Sequence, residues 1–204
     1  MEWNEDNFDI EKLQYTREAY TAAKYAFVSD VARIEALYQY GGFYMDTDVE
    51  VLKSFTPLLD SRCVLGMEEK EYIATSFMAF EKEHSLVKQF LNLYKNLTFL
   101  DENGQIITGT NVAKLTNLLI EKGFVQENYY QELEEGIKIY PKEFFSPYDY
   151  INCHYNITEN SYCVHHFAVS WMSKKEQVKK GIKKQLSKIL GPKKMNKIRE
   201  KIKG

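Results

Sequence analysis

The strongest chemical signal in the sequence is a pair of aspartates one residue apart, Asp46 and Asp48, in the run Tyr44-Met45-Asp46-Thr47-Asp48. At the end of a strand, two such carboxylates reach one small volume if the chain bends there. In water alone they repel. A hard divalent cation, Mn²⁺ or Mg²⁺, removes the conflict, because both ions accept oxygen ligands and keep positions open for substrate phosphates. Solvated turn acids show the same spacing, so the pair takes its meaning from its surroundings. A second constellation is Cys153, His154, Cys163, His165 and His166. It offers thiols and imidazoles to zinc, but not at the spacing of a familiar zinc module. Arg33 lies on a helix face and can pair with Asp30 or Glu35. His84 reads as a solvated loop histidine, Trp171 as a core aromatic, and Thr108-Gly109-Thr110-Asn111 as a turn and helix cap.

These side chains need elements to position them. The Ala-rich stretch 17–27 has helical propensity. Ser29-Asp30 reads as a fresh N-cap, followed by Val31, Ile34, Leu37 and Tyr38 at helical spacing and a stop at Gly41-Gly42. Short strands at 43–45 and 49–52 flank the aspartates, and 63–66 and 72–80 are further strands. Ser85 caps a helix bearing Leu86, Phe90, Leu93, Tyr94 and Leu97, and a second helix runs over 111–121. Strands at 137–140 and 162–169 complete the pattern. Interleaved strands and helices predict an α/β fold.

The chain has 204 residues, 44% apolar and 27% charged, which is the composition of a globular protein with a sizeable core. No apolar run approaches the ~20 residues that span a bilayer. The first residues are acidic and lack the apolar stretch of a secretory signal. Three cysteines without Cys-x-x-Cys argue against a disulfide framework and for a reducing compartment. The net charge of −2 hides a split. Residues 174–204 carry 13 Lys+Arg against two acids, so residues 1–173 are strongly acidic. In that tail Val178, Ile182, Leu186 and Ile189 share a helical face, and Met195, Ile198 and Ile202 resume the pattern after Gly191-Pro192. Two basic amphipathic helices suit an anionic membrane surface; the alternative is a helix docked on the acidic body. The tail lacks stacking aromatics and the body is acidic, so nucleic acid is not the expected partner.

The blocks Ala26 to Arg33, Leu37-Tyr38 with Tyr40-Gly41-Gly42, and Tyr44 to Asp48 together resemble the sugar-binding Asp-x-Asp region of glycosyltransferase family 32. That family includes bacterial capsular-polysaccharide transferases and yeast mannosyltransferases. Tyr140-Pro141 with Phe144 to Pro147 is similar to a later family segment, and His165-His166 with Ser170-Trp171 to its closing block. The resemblance covers residues 2–173 and implies a GT-A fold, Rossmann-like and nucleotide-binding, for domain 1–173. The family's opening strand has no counterpart, so the resemblance implies an N-terminally incomplete domain without its first strand. The tail, 174–204, is the second region.

The implied activity is metal-dependent transfer of a sugar from a nucleotide-sugar donor, with retention, to a polysaccharide or lipid-linked acceptor. Asp48, with Asp46 and His165, would hold Mn²⁺ or Mg²⁺. Arg33 would sit by the donor sugar or diphosphate, beside Ser29 and Asp30 at the ribose or base. Ser170 and Trp171 would close on the phosphate. The expected location is the cytoplasm, peripheral on the inner face of the cell membrane. The alternative is a degenerate sugar-nucleotide-binding remnant held there. Two aspartates one residue apart do not form the separated acid and base of a glycosidase.

Overall fold

The structure is a computed structural model that describes residues 6–69, 71–107, 109–149 and 152–168, with 181, 191 and 194. Ser170, Trp171 and the two helices expected in the tail lie outside the described residues. The chain divides into two compact units, Met1–Met45 with Phe55–Lys142, and Asp46–Ser54 with Glu143–Gly204.

In the first unit, helices α1 (Gln14–Thr21) and α2 (Tyr25–Tyr40) are separated at Ala22–Lys24, where Ala23 has a φ of 55°. The single helix expected over 17–27 is thus cut, and Ser29 and Asp30 lie inside α2. Ser29 turns its hydroxyl back onto the Ala26 carbonyl at 2.8 Å, so it does not cap a new helix. Val28, Val31, Ile34 and Leu37 form the buried stripe of α2. Gly41 then stops the helix at φ 67°, ψ −160°, a region open essentially to glycine alone. A Cβ there would lie 2.7 Å from the Lys82 nitrogen and 2.9 Å from the Phe80 oxygen.

The strands are β1 (Gly42–Met45), β2 (Val49–Val51), β3 (Cys63–Glu69), β4 (Tyr72–Phe80), β5 (Gln131–Leu133), β6 (Ile137–Tyr140), β7 (Tyr148–Asp149), β8 (His154–Tyr155) and β9 (Cys163–His165). The helices α3 (Ser85–Tyr94) and α4 (Asn111–Glu121) follow β4, and the short α5 (Lys142–Phe145) follows β6. The first unit holds one five-stranded sheet in the order β1-β4-β3-β6-β5. Only β3 and β6 pair in parallel; the other neighbours are antiparallel. β4 is buried from Ile73 to Phe80, as a strand covered on both faces must be. Tyr15, Tyr94 and Phe99 pack edge-on in the core at 4.9 and 5.5 Å. The architecture is mixed α/β with parallel and antiparallel pairing, compatible with a glycosyltransferase fold.

In the second unit β2 pairs with β9 and β7 with β8, both antiparallel. Tyr148, Cys153 and Val164 form its apolar cluster, with Phe167 against it. The segment 46–54 is tied in beyond the ladder: the Leu52 amide donates to the Tyr162 carbonyl at 2.8 Å, and Lys53 Nζ to the Glu159 carbonyl at 2.6 Å. Among the described residues of the strand expected over 162–169, the ladder pairs Cys163–His165.

His84 corrects the sequence reading. It is 1% exposed, not solvated, and it rather than Ser85 is the N-cap of α3. Its Nδ1 accepts the Leu86 amide at 3.1 Å, and its Nε2 lies 3.2 Å from the Glu135 carbonyl. A carbonyl only accepts, so Nε2 carries the proton and the neutral ring uses both nitrogens. Burial holds its pKa below the ordinary value; the Glu135 carbonyl and the Glu81 charge oppose that.

Gly41→Ala should lose about 1–3 kcal/mol from backbone strain alone, read as a lower urea midpoint. Below the ordinary histidine pKa, near 6.5, the unfolded chain binds a proton at residue 84 that the folded chain resists, so stability falls as the pH falls. His84→Asn keeps a capping side chain but does not titrate. Its melting temperature should therefore decline less steeply than that of the parent between pH 7 and pH 5.

Candidate functional site

The second unit assembles the acidic pair. The Val49 amide donates to the Asp46 carbonyl at 3.0 Å, closing a tight turn that carries Thr47 and Asp48 into β2. The register of β2 on β9 puts Val49 opposite His165. Asp48 therefore lies beside the end of β9, and its carbonyl accepts the His166 amide at 3.1 Å. Asp48 Oδ2 accepts the Ala168 amide at 2.7 Å, while Oδ1 faces His165 Nε2 at 3.2 Å. Ligand-type atoms of Asp46, Asp48 and His165 all lie within 4.8 Å of one another.

The donor set fits a divalent cation. Two carboxylates at this range repel unless a positive charge joins them. The His165 ring is 12% exposed, and burial lowers its pKa against the pull of Asp48 and Asp46. Near neutral pH it is an uncharged imidazole, the form with a lone pair for a metal. Its Nδ1 is buried and has no hydrogen-bond partner among the described residues. Carboxylates suit Mg²⁺ and Mn²⁺ alike; an imidazole in the set favours the transition metal.

The cysteines do not join this group. Cys63, Cys153 and Cys163 are all buried, and none of the three is in a disulfide. The Cys163 thiol donates to the Phe145 carbonyl at 3.4 Å, and burial pushes its pKa up to about 12. A thiol held protonated is a poor zinc ligand.

The first unit assembles a separate polar group on α2. Arg33 Nη2 pairs with Asp30 Oδ1 at 3.1 Å, with side chains 10% and 17% exposed. The guanidinium also donates to the Thr75 carbonyl at 3.2 Å and the Ser29 hydroxyl at 3.4 Å. Glu35, the other partner weighed for Arg33, pairs with Lys12 at 2.7 Å. The Arg33 guanidinium lies 4.7 Å from the centroid of Tyr44, a cation–π contact that sequence reasoning missed although Tyr44 opens the block that carries the aspartates. Arg33, Leu37, Tyr40, Phe43 and Tyr44 line an open cleft of about 320 Å³. Of the site residues expected from sequence, Asp46, Asp48 and His165 come together in one unit, and Ser29, Asp30 and Arg33 in the other. Ser170 and Trp171 fall outside the described residues.

Comparison with known proteins points the same way. Residues 1–65 match the family model described as a glycosyltransferase sugar-binding region containing the DXD motif. The chain is 30% identical over 125 residues to the lactosylceramide 4-alpha-galactosyltransferase of Mus musculus, covering 61% of this chain and 33% of that protein. It is 31% identical over 85 residues to the Homo sapiens protein of the same name, covering 40% and 23%. An uncharacterized protein of Arabidopsis thaliana is 30% identical over 122 residues, covering 58% and 18%. The chain thus spans about a third of the mouse relative's length. No solved structure matches. The matches show a segment like the sugar-binding DXD region of glycosyltransferases and a distant likeness to a galactosyltransferase.

Asp48→Asn keeps the size of the side chain and an acceptor oxygen but removes the charge. Mn²⁺ titration followed by electron paramagnetic resonance should show binding weakened at least about tenfold, with an unchanged circular dichroism spectrum. Equal Mn²⁺ affinity in parent and variant would exclude Asp48 as a ligand.

Proposed function

We propose that this chain is the catalytic region of a metal-dependent, retaining glycosyltransferase of GT-A type. It moves a sugar from a nucleotide-sugar donor to a polysaccharide or lipid-linked glycan, the capsular type being the bacterial form of that reaction. The observation that carries the proposal is the convergence of Asp46, Asp48 and His165 inside and beside the segment that matches a sugar-binding DXD region. The mouse relative, by its name, has a glycolipid acceptor and an α-linked product.

Breaking a glycosyl–phosphate bond leaves negative charge on the diphosphate leaving group. A bound Mn²⁺ or Mg²⁺ supplies Lewis-acid stabilisation of that charge. In this reading Asp46, Asp48 and His165 hold the ion. Arg33 contributes a fixed, permanently charged guanidinium to the diphosphate or donor sugar. Its pairing with Asp30 orients it, and Asp30 with Ser29 serves the ribose or base. Ser170 and Trp171 are assigned to the phosphate from the C-terminal side. Domain 1–173 carries this chemistry and 174–204 the membrane contact.

No helix among the described residues is long and apolar enough to cross a membrane. The excess of 13 Lys+Arg over two acids in residues 174–204 supports peripheral attachment to anionic lipid on the inner face of the cell membrane. Each basic residue near such a surface contributes about 1 kcal/mol.

Donor turnover tests the enzyme reading. Hydrolysis of a panel of nucleotide sugars with Mn²⁺ should be detectable, be abolished by chelator, and fall at least about a hundredfold in Asp48→Asn. Nucleotide binding without any turnover would instead mark a degenerate binding protein. Flotation with liposomes tests the attachment. Binding should require anionic lipid, weaken with salt and disappear when 174–204 is deleted, whereas equal binding to neutral vesicles would refute it.

A further inference from the structure

His166 stands one residue past β9 and between two side chains. Tyr155 Oη lies 2.9 Å from its Nδ1, and Glu50 Oε2 lies 2.9 Å from its Nε2. A carboxylate only accepts, so His166 Nε2 is the donor to Glu50, and Nδ1 meets the Tyr155 hydroxyl. The chain of bonds runs from β8 through the end of β9 to β2. Glu50 is opposite Val164 in the ladder, so His166 is its diagonal neighbour, within reach of a long side chain.

We propose that Glu50, His166 and Tyr155 are a positioning relay that holds Asp48 and His165 in cation-binding geometry; this rests on the metal reading above. Three features of the second unit carry the inference. The ladder that sets Asp48 beside His165 is three residue pairs long, and so short a two-stranded ladder is marginal by itself. Directly after His166, Phe167 has a φ of 50°, a conformation that persists only where its surroundings enforce it. That turn delivers the Ala168 amide to Asp48 Oδ2. The relay fixes the residue before the strained position, and the Asp48 carboxylate fixes the residue after it. Tyr155 is itself anchored, with its ring 4.6 Å from that of Tyr148, which is buried. Phe167 lies 3.9 Å from the His165 ring and 6.0 Å from Tyr148, so the two imidazoles are braced from one aromatic cluster. Residues that orient a metal ligand in this way typically change affinity about 10–100-fold when removed.

The test separates hydrogen bonding from charge. Glu50→Ala and Glu50→Gln both remove a negative charge near the cation site, but glutamine retains an oxygen that accepts from Nε2. Mn²⁺ titrations should show Glu50→Ala weakened about tenfold and Glu50→Gln within about twofold of the parent. Tyr155→Phe should weaken binding several-fold with an unchanged melting temperature, and it serves where Glu50→Ala does not fold. Equal losses in the alanine and glutamine variants, or parental affinity in Tyr155→Phe, would overturn the relay. Nitrogen-15 spectra of the histidine rings, recorded without metal, give a second readout. The relay requires His166 protonated at Nε2, and a proton on Nδ1 instead would overturn it. A parent protein that binds no Mn²⁺ would sink the metal reading, while those metal-free spectra would still decide the tautomer.

Discussion

Asp48 turns each of its three oxygens to one four-residue stretch. Its carbonyl takes the His166 amide, one carboxylate oxygen takes the Ala168 amide, and the other faces His165. Asp46, two residues earlier, brings a second negative charge within 4.8 Å of this group. The backbone amides and the neutral imidazole reduce the repulsion without cancelling it, because none of them carries a full positive charge. The strand pairing and aromatic cluster of the second unit hold these three side chains together. Preorganisation of this kind matters because ligands that must first be gathered against their own repulsion bind weakly.

The first unit meets the opposite requirement. It keeps a cation, Arg33, mostly out of water, and satisfies it with a carboxylate, a carbonyl and an aromatic face. One helix supplies both Asp30 and Arg33 at a spacing that puts them on the same side. That helix ends at Gly41, whose backbone no other residue adopts without strain and whose missing Cβ admits the Phe80–Lys82 backbone. The chain then runs through β1 into Asp46.

Much of this was legible because it is local. Periodicity places β1, β4, β6 and α4 within a residue or two of their sequence ranges. The Asp-x-Asp chemistry follows from charge and spacing, and the sugar-transfer reading from a resemblance that the family match at residues 1–65 supports in its coarse form. The misreadings share one cause. Ser29 has the residue type of a cap but is carried inside α2 by the buried stripe around it. His84 has the polarity of a loop residue but is enclosed between α3 and the Glu135 turn, where both of its nitrogens find partners. In each case tertiary packing overrode a local preference.

The sequence by itself determined the ingredients: an α/β pattern, two aspartates one residue apart, an arginine with an acid three residues before it, a pair of histidines and a basic tail. Side-chain type and spacing along one element are sufficient for such conclusions. The resemblance names His165 as the ligand, but what turns its ring to Asp48 and holds it there is decided only by tertiary structure. His165 and His166 are neighbours of identical chemistry, and nothing local distinguishes them. The antiparallel register of β2 on β9 does, setting Val49 opposite His165. One ring then faces Asp48 while the other is held between Glu50 and Tyr155. Register is a long-range property, fixed by the packing of Val164 with Tyr148 and Cys153, and a shift of one residue would exchange the two faces.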